Sequence, residues 1–305
     1  MIRVGIASFA HMHAESYAAC INAHPDAKLA GIWDADTARG EDAAKRHGAV
    51  YVQDYNSLLN SGIDAVIVCS ENIHHRSQVE AAANAGLWIL CEKPLATTVE
   101  DAKAMVAACR KAKVGLGTAF PSRYAQPIIH ARKAIRDGAI GKLLAATCTN
   151  NGKFPGGWFA DPALSGGGAV MDHTVHVADV LRWVAGAEFR KVYCACANRF
   201  NPEVDVDDVG SLQMEMDNGA IVSHVASWNR PQSFPTWGDV IIEFVGTKGS
   251  LRVNAFNQKL DHYPNAVTKS EWIGYGAGLD QGLIDDFIDA AKERRDPSVT
   301  GEDGL

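Results

Sequence analysis

The first 120 residues alternate between short apolar, β-rich runs and helical segments, and this alternation is the strongest constraint on the fold. The apolar runs predict strands at residues 2–7, 28–33, 64–69, 87–90 and 114–118. The segments between them predict helices of about ten residues each, at 14–23, 37–47, 75–85 and 99–111. Strict alternation of this kind is typical of right-handed βαβ units, which place parallel strands in one open sheet.

The pattern changes after residue 120. Helices are predicted at 126–136 and 169–184, among strands at 143–149, 191–197, 209–216, 220–227, 240–245 and 250–253. Asn218-Gly219 lies between two alternating runs and predicts a hairpin. The chain is therefore expected to be α/β: a Rossmann-type parallel sheet in residues 1–120, then an α+β domain with a mostly antiparallel open sheet in residues 121–305.

Composition limits the partners. The chain has 305 residues, of which 47% are hydrophobic and 21% charged, and a formal net charge of −7. No basic cluster offsets that charge, so small molecules are favoured over nucleic acid or an anionic membrane surface. No apolar run approaches about 18 residues, and the N-terminus leads directly into a strand. Seven cysteines, an odd number, lie mostly in apolar runs, which indicates a reducing cytoplasmic location.

Lys93 follows a predicted buried strand within the triplet Glu92-Lys93-Pro94. The carboxyl ends of the strands of an open α/β sheet face the ligand crevice, so an amine at this point is placed for chemistry. The following proline permits a rigid turn that fixes the direction of the lysine. A loop lysine in solvent is the alternative that position alone leaves open.

The segment after the first strand occupies the place of a dinucleotide-binding loop. It contains Ser8, Ala10 and His13 in place of fingerprint glycines, although the small residues still admit a phosphate to the start of the following helix. Asp34 ends the second strand and suits an adenosine ribose, which favours NAD over NADP because its charge repels a 2′-phosphate. Arg39 lies nearby and keeps NADP as the alternative.

A second group follows the run Gly166-Gly167-Gly168. On a helix that starts there, Asp172, His176 and Asp179 fall on one stripe. A carboxylate and an imidazole so placed suit general acid/base catalysis, with His176 taking a hydroxyl proton. The alternative is an ordinary amphipathic helix with a solvated polar face. His11, His13 and His173 do not form a compact set of metal ligands with their neighbours in the sequence, so no metal is predicted.

Taken together, three motifs resemble the Gfo/Idh/MocA family of NAD(P)-dependent sugar and polyol dehydrogenases. They are the triplet at 92–94, the segment Ser70-Glu71-Asn72-Ile73-His74-His75, and the glycine run that leads to Asp172 and His176. Two departures are that the first loop lacks the fingerprint glycines and that Glu71 stands where the family usually has proline. The resemblance also implies a further helix after the segment 301–305.

The resemblance implies residue roles. The catalytic candidates are Lys93, Asp172 and His176. The candidates for contact with the dinucleotide are Ser8, Phe9, Ala10, His11, Met12, Asp34, Ser70, Asn72, His75, Glu92, Lys93 and Trp158. The candidates for contact with substrate are Lys93, Arg123, Asn150, Trp158, Asp172, His173 and His176.

The expected function is transfer of a hydride between a secondary alcohol of a sugar or polyol and NAD. Two alternatives stay open: a glycosidase or lyase that oxidises its substrate transiently, and a non-catalytic dinucleotide or sugar sensor. The open sheet face of the second domain further predicts a homo-oligomer, either a dimer or a tetramer.

Overall fold

The computed structural model of the protein describes residues 1–263, 271–276 and 278–305. The chain forms two compact units. The first contains Met1–Phe120, Ala163–Gly166 and Asp280–Leu305, and the second contains Pro121–Pro162 and Gly167–Leu279. In the described part of the chain, no helix is both long and apolar enough to cross a bilayer.

The first unit is built on a six-stranded sheet whose strands all run parallel. Its elements up to residue 120 are β1 (Ile2–Ala7), α1 (His13–Ala23), β2 (Ala27–Trp33), α2 (Thr37–His47), β3 (Val50–Tyr51), α3 (Tyr55–Leu59), β4 (Ala65–Val68), α4 (His75–Asn84), β5 (Trp88–Cys91), α5 (Val99–Ala112) and β6 (Leu116–Thr118). The strand order β3-β2-β1-β4-β5-β6 reverses direction between β1 and β4. That reversal is the point at which such sheets bind ligands.

Local sequence explains these elements. Every residue of β4 and β5 is buried, as expected for strands covered by helices on both faces. The Asp36 side chain accepts a hydrogen bond from the main-chain N–H of Arg39 at the start of α2, and the helix ends at the left-handed Gly48. Thr98 caps α5 in the same way. The predicted strands and helices of this region are all present, within a few residues of their expected ends.

The last 26 residues belong to the first unit, whereas the sequence pattern predicted a second domain of residues 121–305. The helices here are α9 (Leu279–Glu293) and α10 (Gly301–Gly304). Hydrogen bonds between residues far apart in the sequence attach this C-terminal segment to the first unit. Ser16 donates to Asp280, and the Trp88 indole donates to the carbonyl oxygen of Arg295. Leu283, Phe287 and other apolar residues of α9 are buried. Hydrophobic burial is the main driving force for this packing.

The second unit is an α+β structure. Its elements are α6 (Gln126–Arg136), β7 (Leu143–Asn151), α7 (Pro162–Ser165, shared with the first unit), α8 (Ala169–Ala185), β8 (Phe189–Ala197), β9 (Val209–Met216), β10 (Ile221–Ser227), β11 (Ile241–Gly246), β12 (Gly249–Asn254), β13 (Lys259–His262) and β14 (Glu271–Gly274). The main sheet has the order β12-β11-β7-β10-β9-β8. All of its pairs are antiparallel except β7 with β10. The predicted fold class is therefore confirmed.

Helix α8 is the element of the second unit that carries the predicted catalytic residues. Its apolar stripe, including Val177, Leu181 and Val184, belongs to a core cluster with buried residues of the main sheet. Its first turn is held by Asp207, whose carboxylate accepts from the main-chain N–H groups of Gly168 and Val170 at 3.2 and 2.8 Å. Because the core fixes one face and Asp207 fixes the start, the positions of the polar residues on α8 are well determined.

Candidate active site

The loop after β1 is tightly folded. Ser8 adopts the left-handed region at a φ of 72°, where glycine has no steric penalty. The Phe9 N–H donates to the Asp34 carboxylate at 2.7 Å, and the Ala10 N–H donates to the Ser8 hydroxyl at 3.1 Å. A serine thus provides the turn that glycine provides in the common fingerprint, and its hydroxyl supports the next residue.

Asp34 is buried at the end of β2 and is paired with Arg39. The Arg39 Nε and Nη2 atoms lie 2.8 and 2.7 Å from the two carboxylate oxygens, which is a bidentate ion pair. The Asp34 carboxylate accepts these hydrogen bonds and raises the pKa of Arg39. Burial lowers this pKa, but its effect is smaller. Arg39 is therefore held against Asp34, with 32% of its side-chain surface exposed.

Glu92, at the end of β5, is fully buried in a hydrogen-bond network. Its Oε1 atom lies 3.0 Å from Nδ1 of His13 and accepts from the Tyr17 hydroxyl at 2.7 Å. Burial disfavours the charged carboxylate, yet the neighbouring imidazoles of His11 and His13 hold the pKa of Glu92 well below its ordinary value. Burial also disfavours protonated His13, but the Glu92 carboxylate outweighs it and raises the His13 pKa.

Lys93 directly follows Glu92 and is 4% exposed. Its main-chain N–H donates to Oε2 of Glu92 at 3.0 Å, and the Lys93–Pro94 peptide bond is cis. The alternative of a loop lysine in solvent is therefore wrong. The hydrogen-bond network of Glu92 therefore includes the main chain of Lys93 and fixes the position of the backbone that carries the amine.

Three further cofactor candidates, Ser70, Asn72 and His75, lie between the end of β4 and the start of α4. Ser70 donates to the Gln78 side chain, and the Asn72 amide donates to the carbonyl oxygen of Ser165. The His75 ring lies 3.1 Å from the carbonyl oxygen of Pro94 and 3.2 Å from that of Ser70. Burial lowers the pKa of His75 despite these carbonyl contacts, which favours a neutral ring.

Three predicted contact residues, His75, Glu92 and Asn150, have no exposed surface. His75 and Glu92 instead hold the turn that contains Lys93. The Asn150 side chain donates to the main-chain oxygen of Asp239 at 2.5 Å, which joins β7 to the residues before β11. The structure thus shows supporting contacts for these three side chains, and their predicted contacts with cofactor or substrate stay predictions.

On α8, Asp172 is close to two polar groups. The Trp228 indole N–H donates to its Oδ2 atom at 3.1 Å, and Nε2 of His173 lies 3.2 Å from the same oxygen. His176 is 3% exposed. The predicted alternative of a solvated polar stripe is therefore wrong for His176, and Trp228 is a site residue that sequence reasoning missed. Trp228 is far from Asp172 in the sequence, so no local pattern indicated that the two side chains would be in contact.

Arg123 and Asp179 form a buried bidentate ion pair at 2.7 and 2.5 Å. Arg123 is 7% exposed. A buried pair of this kind is disrupted at high cost when one partner is lost. The geometry therefore accounts for Arg123 as a support of α8, and its predicted contact with substrate stays a prediction.

Aromatic rings surround the polar residues of α8. The Trp237 ring lies 5.7 Å from the ring of His173 and 6.5 Å from that of His176, and Trp237 is 40% exposed. Trp158 stacks on Phe159 with ring centroids 3.9 Å apart. Trp237 was not among the predicted site residues, because only the fold brings its loop to α8. An exposed indole beside an imidazole suits a ligand that has both an apolar face and polar groups.

His11, His13 and Glu92 bring three potential metal-ligand atoms within 4.8 Å of one another. However, Nδ1 of His11 accepts the main-chain N–H of His13, so a neutral His11 ring carries its hydrogen on Nε2, the atom that faces Glu92 at 3.8 Å. Nδ1 of His13 and the Tyr17 hydroxyl are directed at the same carboxylate. The cluster is organised as a hydrogen-bond network, and we assign no metal to it.

Comparison with known proteins identifies the family. Residues 2–120 match the family described as the oxidoreductase family with an NAD-binding Rossmann fold, and residues 128–252 match the GFO/IDH/MocA C-terminal domain. The chain therefore belongs to the GFO/IDH/MocA family of oxidoreductases, and its first unit is an NAD-binding Rossmann fold. The resemblance seen in the sequence motifs is confirmed.

Individual relatives are similar over most of the chain. A 1,5-anhydro-D-fructose reductase from Ensifer adhaerens is 34% identical over 251 residues, which cover 80% of this chain and 74% of the relative. An inositol 2-dehydrogenase from Rhizobium meliloti is 27% identical and covers 95% and 88% of the two chains. A solved levoglucosan dehydrogenase in complex with NADH and levoglucosan is 26% identical, with a TM-score of 0.85 and coverage of 99% and 93%.

Proposed function

We propose that this protein is an NAD-dependent dehydrogenase that interconverts a secondary alcohol of a sugar or polyol and the corresponding ketone. The observation that carries the proposal is the pair of Asp172 and His176 on α8, in a chain whose first unit is an NAD-binding Rossmann fold. The named relatives act on sugar derivatives or inositol, and this supports the substrate class.

The reaction requires one proton acceptor and one hydride acceptor. His176 takes the proton of the substrate hydroxyl, for which an imidazole is suited near neutral pH. Lys93 donates a hydrogen bond to the substrate oxygen and stabilises the negative charge that develops on it. Asp172 binds a neighbouring hydroxyl and orients the substrate. NAD, when bound, supplies the acceptor for the hydride from the carbinol carbon.

The first unit fits this cofactor. The left-handed Ser8 brings the main chain from β1 to the start of α1, where main-chain N–H groups and the helix dipole favour a pyrophosphate. The Met12 side chain makes no capping hydrogen bond at this helix start, where the His13 N–H donates to Nδ1 of His11. Met12 is 55% exposed beside it, and Asp34 ends β2 at the place of the adenosine ribose.

We expect Asp34→Asn to change cofactor preference. The amide still accepts the Phe9 N–H, but the negative charge is lost and Arg39 becomes available to a 2′-phosphate. The ratio of kcat/KM for NADP to that for NAD should rise about 10- to 100-fold, the effect of one or two charge-assisted hydrogen bonds. Steady-state kinetics with both cofactors measures this ratio. The Asp36→Asn variant, which alters the adjacent helix cap, is the matched control and should leave the ratio unchanged.

The proposed activity is tested with a panel of inositols, levoglucosan and related sugars. Each is incubated with NAD or NADP, and 1,5-anhydro-D-fructose is incubated with NADH. We expect a net change in NADH absorbance with at least one member of the panel. Tightly bound NAD with product release and no net NADH would instead indicate a glycosidase or lyase that oxidises its substrate transiently. Binding without turnover would indicate a sensor.

We also propose that the protein is a cytoplasmic homo-oligomer. Ile221, Val225 and Val245 are 38–59% exposed and lie on the same face of the main sheet in the second unit, as their strand pairings with β7 show. An apolar sheet face of this kind favours contact with a second copy. Sedimentation velocity should give a dimer or tetramer, and a Val225→Lys variant should shift it towards monomer. All seven cysteines are free thiols, which supports a reducing compartment.

A further inference from the structure

His173 is held on both sides by polar contacts. It is 4% exposed, and its Nδ1 atom lies 2.9 Å from the main-chain oxygen of Asn150. Its Nε2 atom lies 3.2 Å from Oδ2 of Asp172. The edge-to-face contact with Trp237 further restricts the ring. The sequence predicted His173 as a contact for substrate and no metal at this residue, whereas both of its ring nitrogens are directed at groups of the protein.

The two contacts determine where the hydrogens lie. A carbonyl oxygen only accepts hydrogen bonds, so Nδ1 of His173 carries a hydrogen and donates it to Asn150. In the neutral ring, Nε2 would then be a bare lone pair facing the oxygen of an ionised Asp172 at 3.2 Å. That contact is repulsive. A proton therefore lies between Nε2 and Oδ2, and the pair shares it.

The surroundings favour this proton on the imidazole. The Trp228 N–H donates to the same Oδ2 atom and stabilises the ionised carboxylate. An imidazole is ordinarily a stronger base than a carboxylate, which favours the same assignment. The Asp172 and His173 side chains together then carry no net charge, which suits a buried position.

Nearby ionisable groups do not compete for the proton. His224, on β10, donates from Nδ1 to the carbonyl oxygen of Cys148, and burial lowers its pKa to about 4, so it is neutral. Asp239, beside the end of β7, is paired with Arg230. His176 lies one turn further along α8 and has the separate task of proton acceptor in the proposed function. Asp172 is the carboxylate in contact with His173.

We propose that His173 is a positioning residue: a protonated imidazole that keeps Asp172 ionised and fixes the direction of its carboxylate. This inference rests on the proposed function and deepens it. An ionised Asp172 held by His173 and Trp228 binds a substrate hydroxyl but does not take its proton. The proton of the reacting hydroxyl is thereby left to His176, and the two side chains of α8 have different tasks.

The protonation state is measured by NMR of the full-length protein labelled with ¹⁵N in its histidine rings. The His173→Gln variant assigns the signal among the 11 histidines by difference. We expect both nitrogens of His173 to be protonated at pH 7.5, because the contacts with Asn150 and Asp172 each require a hydrogen on the ring. In Asp172→Asn the ring should be neutral at that pH, with its hydrogen on Nδ1. A wild-type His173 with only one protonated nitrogen at pH 7.5 overturns the inference.

Kinetics provides the second readout. His173→Leu should lower kcat by up to about 100-fold, the loss that about 1 Å of misplacement causes, with little change in the dissociation constant of NAD. His173→Gln, whose amide can still donate to Asp172, should recover most of the activity. His224→Leu is the matched control: it removes another buried histidine bonded to a carbonyl oxygen of the same sheet and should leave kcat unchanged.

The two measurements separate the inference from the proposed function. The NMR signal does not require turnover, so a panel without any active substrate refutes the dehydrogenase but leaves the shared proton testable. In the double variant His173→Leu/Asp172→Asn, kcat should equal that of Asp172→Asn alone. A full additional loss from His173→Leu would show that His173 acts independently of Asp172 and would overturn its positioning role.

Discussion

Replacing Lys93 by alanine should lower kcat/KM about 10²- to 10⁴-fold while leaving the affinity for NAD nearly unchanged. The side-chain amine is the group that we assign to the substrate oxygen, and a general acid/base or hydrogen-bonding group at the reacting atom contributes about 10²–10⁴ to the rate. The hydrogen bond from residue 93 to Glu92 comes from the main chain and survives the substitution. The turn should therefore keep its conformation.

Steady-state kinetics and fluorescence titration with NADH measure these two quantities. Lys103→Ala, at an exposed position of α5, is the matched control, because it removes the same charge away from the strand ends. A Lys93→Ala protein with the turnover of the wild type would refute the assignment. A loss of NADH binding equal to the loss of activity would instead make Lys93 a cofactor residue only.

Replacing Gly168 by alanine should destabilise the second unit by about 3 kcal/mol or more, the upper range for overpacking a buried position. An added Cβ would lie 1.9 Å from the main-chain oxygen of Asp207, and main chain cannot move aside as a flexible side chain can. Asp207 also accepts from the N–H of Gly168 and Val170. The substitution should therefore displace the start of α8 and the Asp172 carboxylate one turn beyond it.

Urea unfolding followed by fluorescence and circular dichroism measures this effect. Gly167→Ala is the control at the neighbouring position, because the three atoms nearest to its added Cβ belong to the Met171 side chain, at 3.2–3.4 Å. It should unfold within about 1 kcal/mol of the wild type. Equal unfolding midpoints for the two alanine variants would show that Asp207 does not fix the first turn of α8.

The sequence predicted most of the fold because its elements follow local rules. Buried apolar runs such as β4 and β5 are easily distinguished from the amphipathic helices between them. Asn218-Gly219 marks the hairpin between β9 and β10, which pair antiparallel, with Gly219 at a φ of 87°. These features depend on residues close together in the chain.

Features that depend on distant residues were not predictable. The parallel pairing of β7 with β10 joins strands about 75 residues apart, and no local pattern specifies it. The return of α9 to the first unit depends on buried surface that only the folded sheet provides. Periodicity likewise could not show that Trp228 would donate to Asp172.

The candidate site shows the same division. The positions of Lys93 and Asp34 at strand ends followed from the βαβ pattern. The environment of each side chain did not: Glu92 supports Lys93 through its main chain, and Arg39 neutralises Asp34. The charges that act on a buried group come from several elements, so its pKa and its role emerge only from the fold.

The central claim, transfer of a hydride from a sugar or polyol to NAD, is tested most directly by isotope transfer. The most active alcohol from the panel is prepared with deuterium at its carbinol carbons and incubated with the protein and NAD, and the NADH formed is examined by mass spectrometry and NMR. The account predicts net NADH with one deuterium at carbon 4 of the nicotinamide. Unlabelled NADH, or product formed without any net NADH, would contradict it.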